Sequence, residues 1–161
     1  AALSELLSKC PAIAHLDLRW THLDQSVSES LASAVGGLRA LTHLNLGMNN
    51  LAESIHILAE GLGACEGLSS LDVSNSQLFD GGAEVLASHL CKCTRLTRLN
   101  VRDNFFREEG IGYLSRALRA CKALSYLDVS HNRSADEGAR HIALGPLTAC
   151  RSLTHLDLCD N

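Results

Sequence analysis

Eight histidines, seven cysteines and eighteen Asp and Glu residues are spread over 161 residues, and their spacing decides which chemistry is open to them. His15 and His43 stand in matching tripeptides, His-Leu-Asp and His-Leu-Asn, each two residues before Asp17 or Asn45. Two imidazoles and a carboxylate are ligand types that can hold Zn²⁺. Repetition alone also brings such residues together, and Ser70 interrupts the row at the next copy. No metal site is assigned, and a pH-sensitive histidine pair is the reading kept. Cys10, Cys65, Cys93, Cys121 and Cys150 each lie three residues before the first apolar residue of a recurring segment, and Leu38 fills that slot in the remaining unit. A slot that accepts Cys or Leu is a buried apolar slot, and free Cys behaves as a small hydrophobe. These five are read as reduced packing residues, not as a disulfide framework or a metal cluster, which points to a reducing, cytoplasmic compartment. Cys91 and Cys93 form C-x-C without a second pair at metal spacing. Cys159 points outward and is the candidate reactive thiol.

Enzyme signatures are missing. There is no G-x-x-x-x-G-K-[ST], G-x-G-x-x-G or H-E-x-x-H motif, and no G-x-S-x-G elbow. Gly61, Gly63, Gly81 and Gly82 read as helix caps or close-packing positions. No catalytic, cofactor-binding or metal-binding residue is named, no cofactor is implied, and the chain is not read as an enzyme. The residue with most to offer is the single Trp, Trp20, because tryptophan is enriched in the energetic centres of protein interfaces.

Six segments must position these side chains: Ile13–Leu18, Leu41–Leu46, Leu68–Val73, Leu96–Val101, Leu124–Val129 and Leu153–Leu158. Their starts are 28, 27, 28, 28 and 29 residues apart. Each alternates apolar and polar residues, the mark of a short half-buried strand. Three residues past the last apolar position comes Thr21, Asn49, Ser76, Asn104, Asn132 or Asn161, each able to hydrogen-bond the backbone of a tight turn. Next but one is a core plug, Leu23, Leu51, Leu78 or Phe106, with Ser134 in the fifth unit, where looser packing is expected. Before each strand an apolar stripe recurs at helical spacing: Ser28, Leu31, Val35, Leu38; Ile55, Leu58, Leu62, Cys65; Ala83, Leu86, Leu90, Cys93; Ile111, Leu114, Leu118, Cys121. Leu3, Leu7 and Cys10 are the tail of an earlier stripe. In the last unit Ala139 and Ile142 fit, but Leu147 and Cys150 arrive one residue late. Gly145-Pro146 sits at the slip, so a break or kink is expected there.

Strand and helix in alternation with short links imply a parallel sheet. Strands about 4.8 Å apart stacked against helices about 10 Å wide must bend, with the strands on the inner side. The pattern resembles the leucine-rich repeat family, and its period and helical outer face look like the ribonuclease-inhibitor-type subclass. The resemblance covers Leu3 to Asn161. It implies an α/β horseshoe segment with a parallel sheet on the concave face and helices on the convex face. The organisation expected is one domain, 1–161, of about five complete repeats plus partial repeats at both ends. Neither end carries a polar capping unit, so the expectation is a piece of a longer array, with self-association through the uncapped ends as the alternative.

In that family the concave sheet usually binds protein. Its rows here are His15, His43, Ser70, Arg98, Tyr126, His155; then Asp17, Asn45, Asp72, Asn100, Asp128, Asp157; then Arg19, Gly47, Ser74, Arg102, Ser130, Cys159. Trp20, Met48, Asn75, Asp103, His131 and Asp160 follow at the rim. The candidate protein-binding residues are His15, Asp17, Arg19, Trp20, His43, Met48, Arg98, Arg102, Tyr126 and His155. The Asp/Asn row is read as serving local hydrogen bonding. The expected partner is another protein. A net charge of −4 argues against nucleic acid, and no apolar run of about 18 residues exists to span a membrane. The resemblance also admits a regulator of an enzyme, either a small-GTPase activator or a ribonuclease inhibitor.

Overall fold

The computed structural model describes residues 2–23 and 25–161, with side chains from residue 5 onward except those of residues 24 and 25. Helices and strands alternate: α1 (Ala2–Ser8), β1 (His15–Asp17), α2 (Gln25–Gly37), β2 (His43–Asn45), α3 (Ile55–Gly63), β3 (Ser70–Asp72), α4 (Phe79–Leu90), β4 (Arg98–Asn100), α5 (Glu108–Leu118), β5 (Tyr126–Asp128), α6 (Ala135–Leu144), α7 (Pro146–Ala149) and β6 (His155–Asp157). The six strands form one parallel sheet in chain order. Register is strict: His15 faces His43, Leu44 faces Leu71, Asp72 faces Asn100 and Tyr126 faces His155. Helices pack on one side of the sheet, each against the next, and the result is an α/β solenoid with the strands on its inner face.

The core is the leucine lattice that the spacing predicts. Leu31 and Val35 of α2, Leu38 just after it, Leu58 and Leu62 of α3, Leu86 and Leu90 of α4, and Leu114 and Leu118 of α5 are buried against the strand leucines Leu44, Leu71, Leu99 and Leu127. Burying one such side chain contributes about 1.5–3 kcal/mol. The side chain of Leu3 lies outside the described residues, and Leu7 is buried. Gly61 lets α2 and α3 approach closely: a Cβ there would sit 2.5 Å from the Ala32 carbonyl oxygen.

Four cysteines, Cys65, Cys93, Cys121 and Cys150, are buried in the slot predicted for them, whereas Cys10 is exposed. Cys10 lies in the link between α1 and β1. Each buried thiol also donates a weak hydrogen bond to the repeat before it. Cys65 Sγ reaches the Val35 carbonyl at 3.2 Å, and Cys150 Sγ reaches the Cys121 carbonyl at 3.2 Å. Leucine cannot make these contacts, so the slot is apolar with a small polar addition.

The expected break falls at Gly145, where α6 ends and α7 begins with Pro146 as its first residue. The stripe around it shifts. Ala139 and Leu147 face outward, while Gly138, Ile142, Pro146 and Cys150 are buried. Proline lacks an N–H and is tolerated at the first helical position, so the chain restarts there and the following residues turn by one step. Ser134 does not leave the loose spot expected of a small polar plug. It is buried, its hydroxyl donates to Asn161 Oδ1 at 2.8 Å, and α6 closes onto it through Gly138.

Candidate protein-binding surface

The Asn row is the hinge on which the surface is built. Asn104 Nδ2 donates to the carbonyls of Val73 (2.8 Å), Val101 (3.1 Å) and Arg102 (3.2 Å), while its Oδ1 accepts from the N–H of Ser76 (3.0 Å) and Leu78 (3.3 Å). Asn49 and Asn132 repeat the pattern. One side chain thus satisfies the turn of its own repeat and that of the preceding one. Where Ser76 or Thr21 replaces Asn, the hydroxyl reaches only the local carbonyl of Ser74 or Leu18.

The residue before the Asn, or before the Thr or Ser that replaces it, lies in left-handed backbone. Trp20, Met48, Asn75, Asp103, His131 and Asp160 all have φ between 51° and 58°. This conformation costs an ordinary L-residue about 1–2 kcal/mol and is an outlier for a bulky one. The rim is locked by a second ladder, with Trp20 N–H donating to Gly47 (3.2 Å), Met48 to Ser74 (2.8 Å), Asn75 to Arg102 (2.8 Å) and His131 to Cys159 (2.8 Å). Trp20 is held 69% exposed and Met48 52% exposed. Trp20 therefore does not pack back onto its loop.

The Asp/Asn row does the local work read from the sequence. Asp17, Asn45, Asp72, Asn100, Asp128 and Asp157 each accept through Oδ1 from the N–H two residues on, at 2.9–3.1 Å. Asp17 also pairs with Arg19, whose Nη2 lies 2.8 Å from Oδ2. That hydrogen bond lowers the Asp17 carboxyl below its ordinary value and raises the Arg19 guanidinium. Asp17 and Arg19 reach the surface as a neutralised pair.

The outermost row stacks. His15 and His43 lie ring on ring at 4.1 Å. The two rings are nearly parallel, with an interplanar angle of 12°. Tyr126 and His155 stack at 4.3 Å, and the Arg98 guanidinium lies 3.4 Å from the Tyr126 ring centre. Arg102 is anchored through Nη1 to Ser130 Oγ at 3.1 Å. The ten candidate residues therefore fall into two groups. His15, Asp17, Arg19, Trp20, His43 and Met48 sit on β1, β2 and their loops, and Arg98, Arg102, Tyr126 and His155 on β4, the loop after it, β5 and β6. The small polar residues of β3 and the loop after it, Ser70, Asp72 and Ser74, lie between. Part of this floor is an open depression of about 400 Å³ lined by His15, Asp17, His43, Asn45, Ser70 and Arg98, among others.

Sequence reasoning missed a third group. Phe79 and Phe105 stack at 5.4 Å, and the Arg133 guanidinium lies 4.8 Å from the Phe105 ring centre. Both phenylalanines have left-handed backbone, φ 53° and 60°, and Phe79 is 49% exposed. The signal was present: each flanks a core plug, Leu78 or Phe106, and a neighbour of an inward residue in an extended turn must face out. Cys159 also differs from expectation. It is exposed, but its thiol is raised above the ordinary value by a hydrogen bond to the Asp157 carboxylate, which disfavours the reactive thiolate.

No helix among the described residues is long and apolar enough to cross a membrane. No family model and no curated protein sequence matches the chain. Among solved structures, it is similar to one described as Leiomodin-1 Actin-Binding Site 2 (ABS2), with a TM-score of 0.67 and 18% identity, covering 84% of this chain and 80% of that one. Together with the six-stranded parallel sheet and its helical outer layer, that likeness shows the chain to be a solenoid of the leucine-rich-repeat type.

Proposed function

We infer that this chain is a protein-interaction module, one repeat domain over residues 1–161, that takes a protein ligand on its concave sheet and loop rim. The observation that carries this reading is Trp20: an indole 69% exposed and held there by left-handed backbone. An indole left out of the core on an ordered turn is available for a partner. The Arg98–Tyr126–His155 stack supplies a second anchor of residue types favoured in interfaces, already ordered before binding. The 27- to 29-residue spacing and the fully helical outer layer support the ribonuclease-inhibitor-type subclass. The protonated, unpaired cysteines of the core support a reducing, cytoplasmic setting.

Because the similar solved structure is described as actin-binding, actin is the first partner to test. Co-sedimentation with filamentous and monomeric actin is compared for the parent chain, a Trp20→Ala/Arg98→Ala/Tyr126→Ala variant and a convex-face control, Arg116→Ala. Binding that the triple variant loses and the control keeps supports the concave surface, and equal binding by all three refutes it. Stimulated GTP hydrolysis by a small GTPase, or suppressed ribonuclease activity, would instead identify an enzyme regulator using the same face.

A further inference from the structure

We propose that His131, Cys159 and Asp160 form a binding site for a borderline-soft divalent cation of the zinc type, joining the loops after β5 and β6. The three residues come from adjacent repeats. His131 follows β5, and Cys159 and Asp160 follow β6. Register places them side by side, with the His131 N–H donating to the Cys159 carbonyl at 2.8 Å. One ligand atom from each, an imidazole nitrogen, a thiol sulfur and a carboxylate oxygen, lie within 4.8 Å of one another. His131 Nε2 and Asp160 Oδ2 are 3.1 Å apart.

A tetrahedral ion with bonds of about 2.0–2.3 Å needs its ligand atoms about 3.3–3.8 Å apart. The present spacing brackets that range, and exposed side chains close the difference by small rotations. The donor set is chemically matched. Sulfur, nitrogen and oxygen donors in fourfold coordination are those of zinc, and a thiolate selects against calcium and magnesium. One thiolate, one carboxylate and a neutral imidazole together neutralise a dication. Loading breaks the Cys159 S–H bond, releases its proton to solvent and forms the sulfur–metal bond in its place. The fourth position is open to water. The His15–His43–Asp17 group has none of this convergence, because its rings are stacked and its carboxylate is held by Arg19.

The test uses Co²⁺ and Zn²⁺ alone on the 161-residue chain carrying Cys10→Ser and Cys91→Ser, which removes the two other exposed thiols. Titration with Co²⁺ should give one equivalent bound and a near-ultraviolet thiolate-to-cobalt charge-transfer band. Cys159→Ser should abolish the band. His131→Ala and Asp160→Ala should weaken binding by at least about tenfold, and His15→Ala/His43→Ala should leave it unchanged. Zn²⁺ should also protect Cys159 from alkylation, read by mass spectrometry on the same parent chain. Absence of saturable binding, a band that survives Cys159→Ser, or binding lost only with His15 and His43 would each overturn the site. This result is independent of actin binding, since His131, Cys159 and Asp160 are not among the residues assigned to the protein partner.

Discussion

The backbone N–H of Asn104 donates to Oδ1 of Asn132, one repeat further along, at 3.0 Å. Asn132 Oδ1 also accepts from the Phe106 N–H at 3.0 Å, and its Nδ2 donates to carbonyls of both its own repeat and the preceding one. All these groups are buried, so the solenoid is joined from repeat to repeat by side-chain amides as well as by strand pairing and leucine contacts.

Replacing Asn132 by Ala leaves the Asn104 and Phe106 N–H groups without an acceptor. Each buried orphan costs about 1–3 kcal/mol, so Asn132→Ala should lower stability by about 3–5 kcal/mol in urea unfolding. Thr21→Ala, at the exposed copy of the same position, should cost about 1 kcal/mol or less. Equal effects at the two positions would show that the amide ladder does not couple repeats.

Burial raises the Cys65 thiol from 9.0 to about 11 and the Cys121 thiol from 9.0 to about 12. The folded state holds these protons more tightly than the unfolded chain. The associated stability is therefore complete below about pH 9 and is lost as pH rises, until about pH 11 for Cys65 and about pH 12 for Cys121. Within that window each group should contribute a loss of about 1.4 kcal/mol per pH unit. Urea unfolding at a series of alkaline pH values should show this fall, and a Cys65→Ala/Cys121→Ala chain should show a flatter one. Parallel curves for the two chains would remove the cysteines as the cause.

Trp20→Gly separates stability from binding. Glycine adopts φ 54° without the steric cost, so melting should shift upward, by up to about 1 kcal/mol at the midpoint. Affinity for the protein partner should fall by at least about tenfold. A variant that loses stability, or one that binds as well as the parent, would remove the case for a strained, partner-directed indole.

Asp80, in the first turn of α4, caps the next helix. Its Oδ1 accepts from the N–H of Arg107 at 2.8 Å and of Gly110 at 3.0 Å, and the N-cap residue Arg107 makes no side-chain cap of its own. Asp80→Ala should cost about 1–2 kcal/mol, whereas Asp80→Asn, which keeps the acceptor, should cost less than half of that. Thermal unfolding of the two variants side by side decides it.

The architecture was legible in the sequence because it is written in periods. Leucines at strand and helix spacing, repeated six times, leave one arrangement that buries them all, and the Asn, Ser or Thr after each strand announces a turn whose backbone needs partners. Most of the outward rows followed from alternation, although Asp128 and Ser130 are buried, and the break at Gly145-Pro146 followed from the slipped helical stripe and the proline. Tertiary structure decided what depends on neighbours a repeat away. It showed that Asn49, Asn104 and Asn132 serve two repeats each, that the rim residues from Trp20 to Asp160 are left-handed, and that Phe79 stacks on Phe105. It also showed the Asp157 carboxylate accepting from the Cys159 N–H, and His131 standing beside Cys159 and Asp160. The reason is geometric: periodicity specifies which face a residue occupies, but distances between side chains on that face are set by register and by turn conformation, and these exist only once the repeats are stacked.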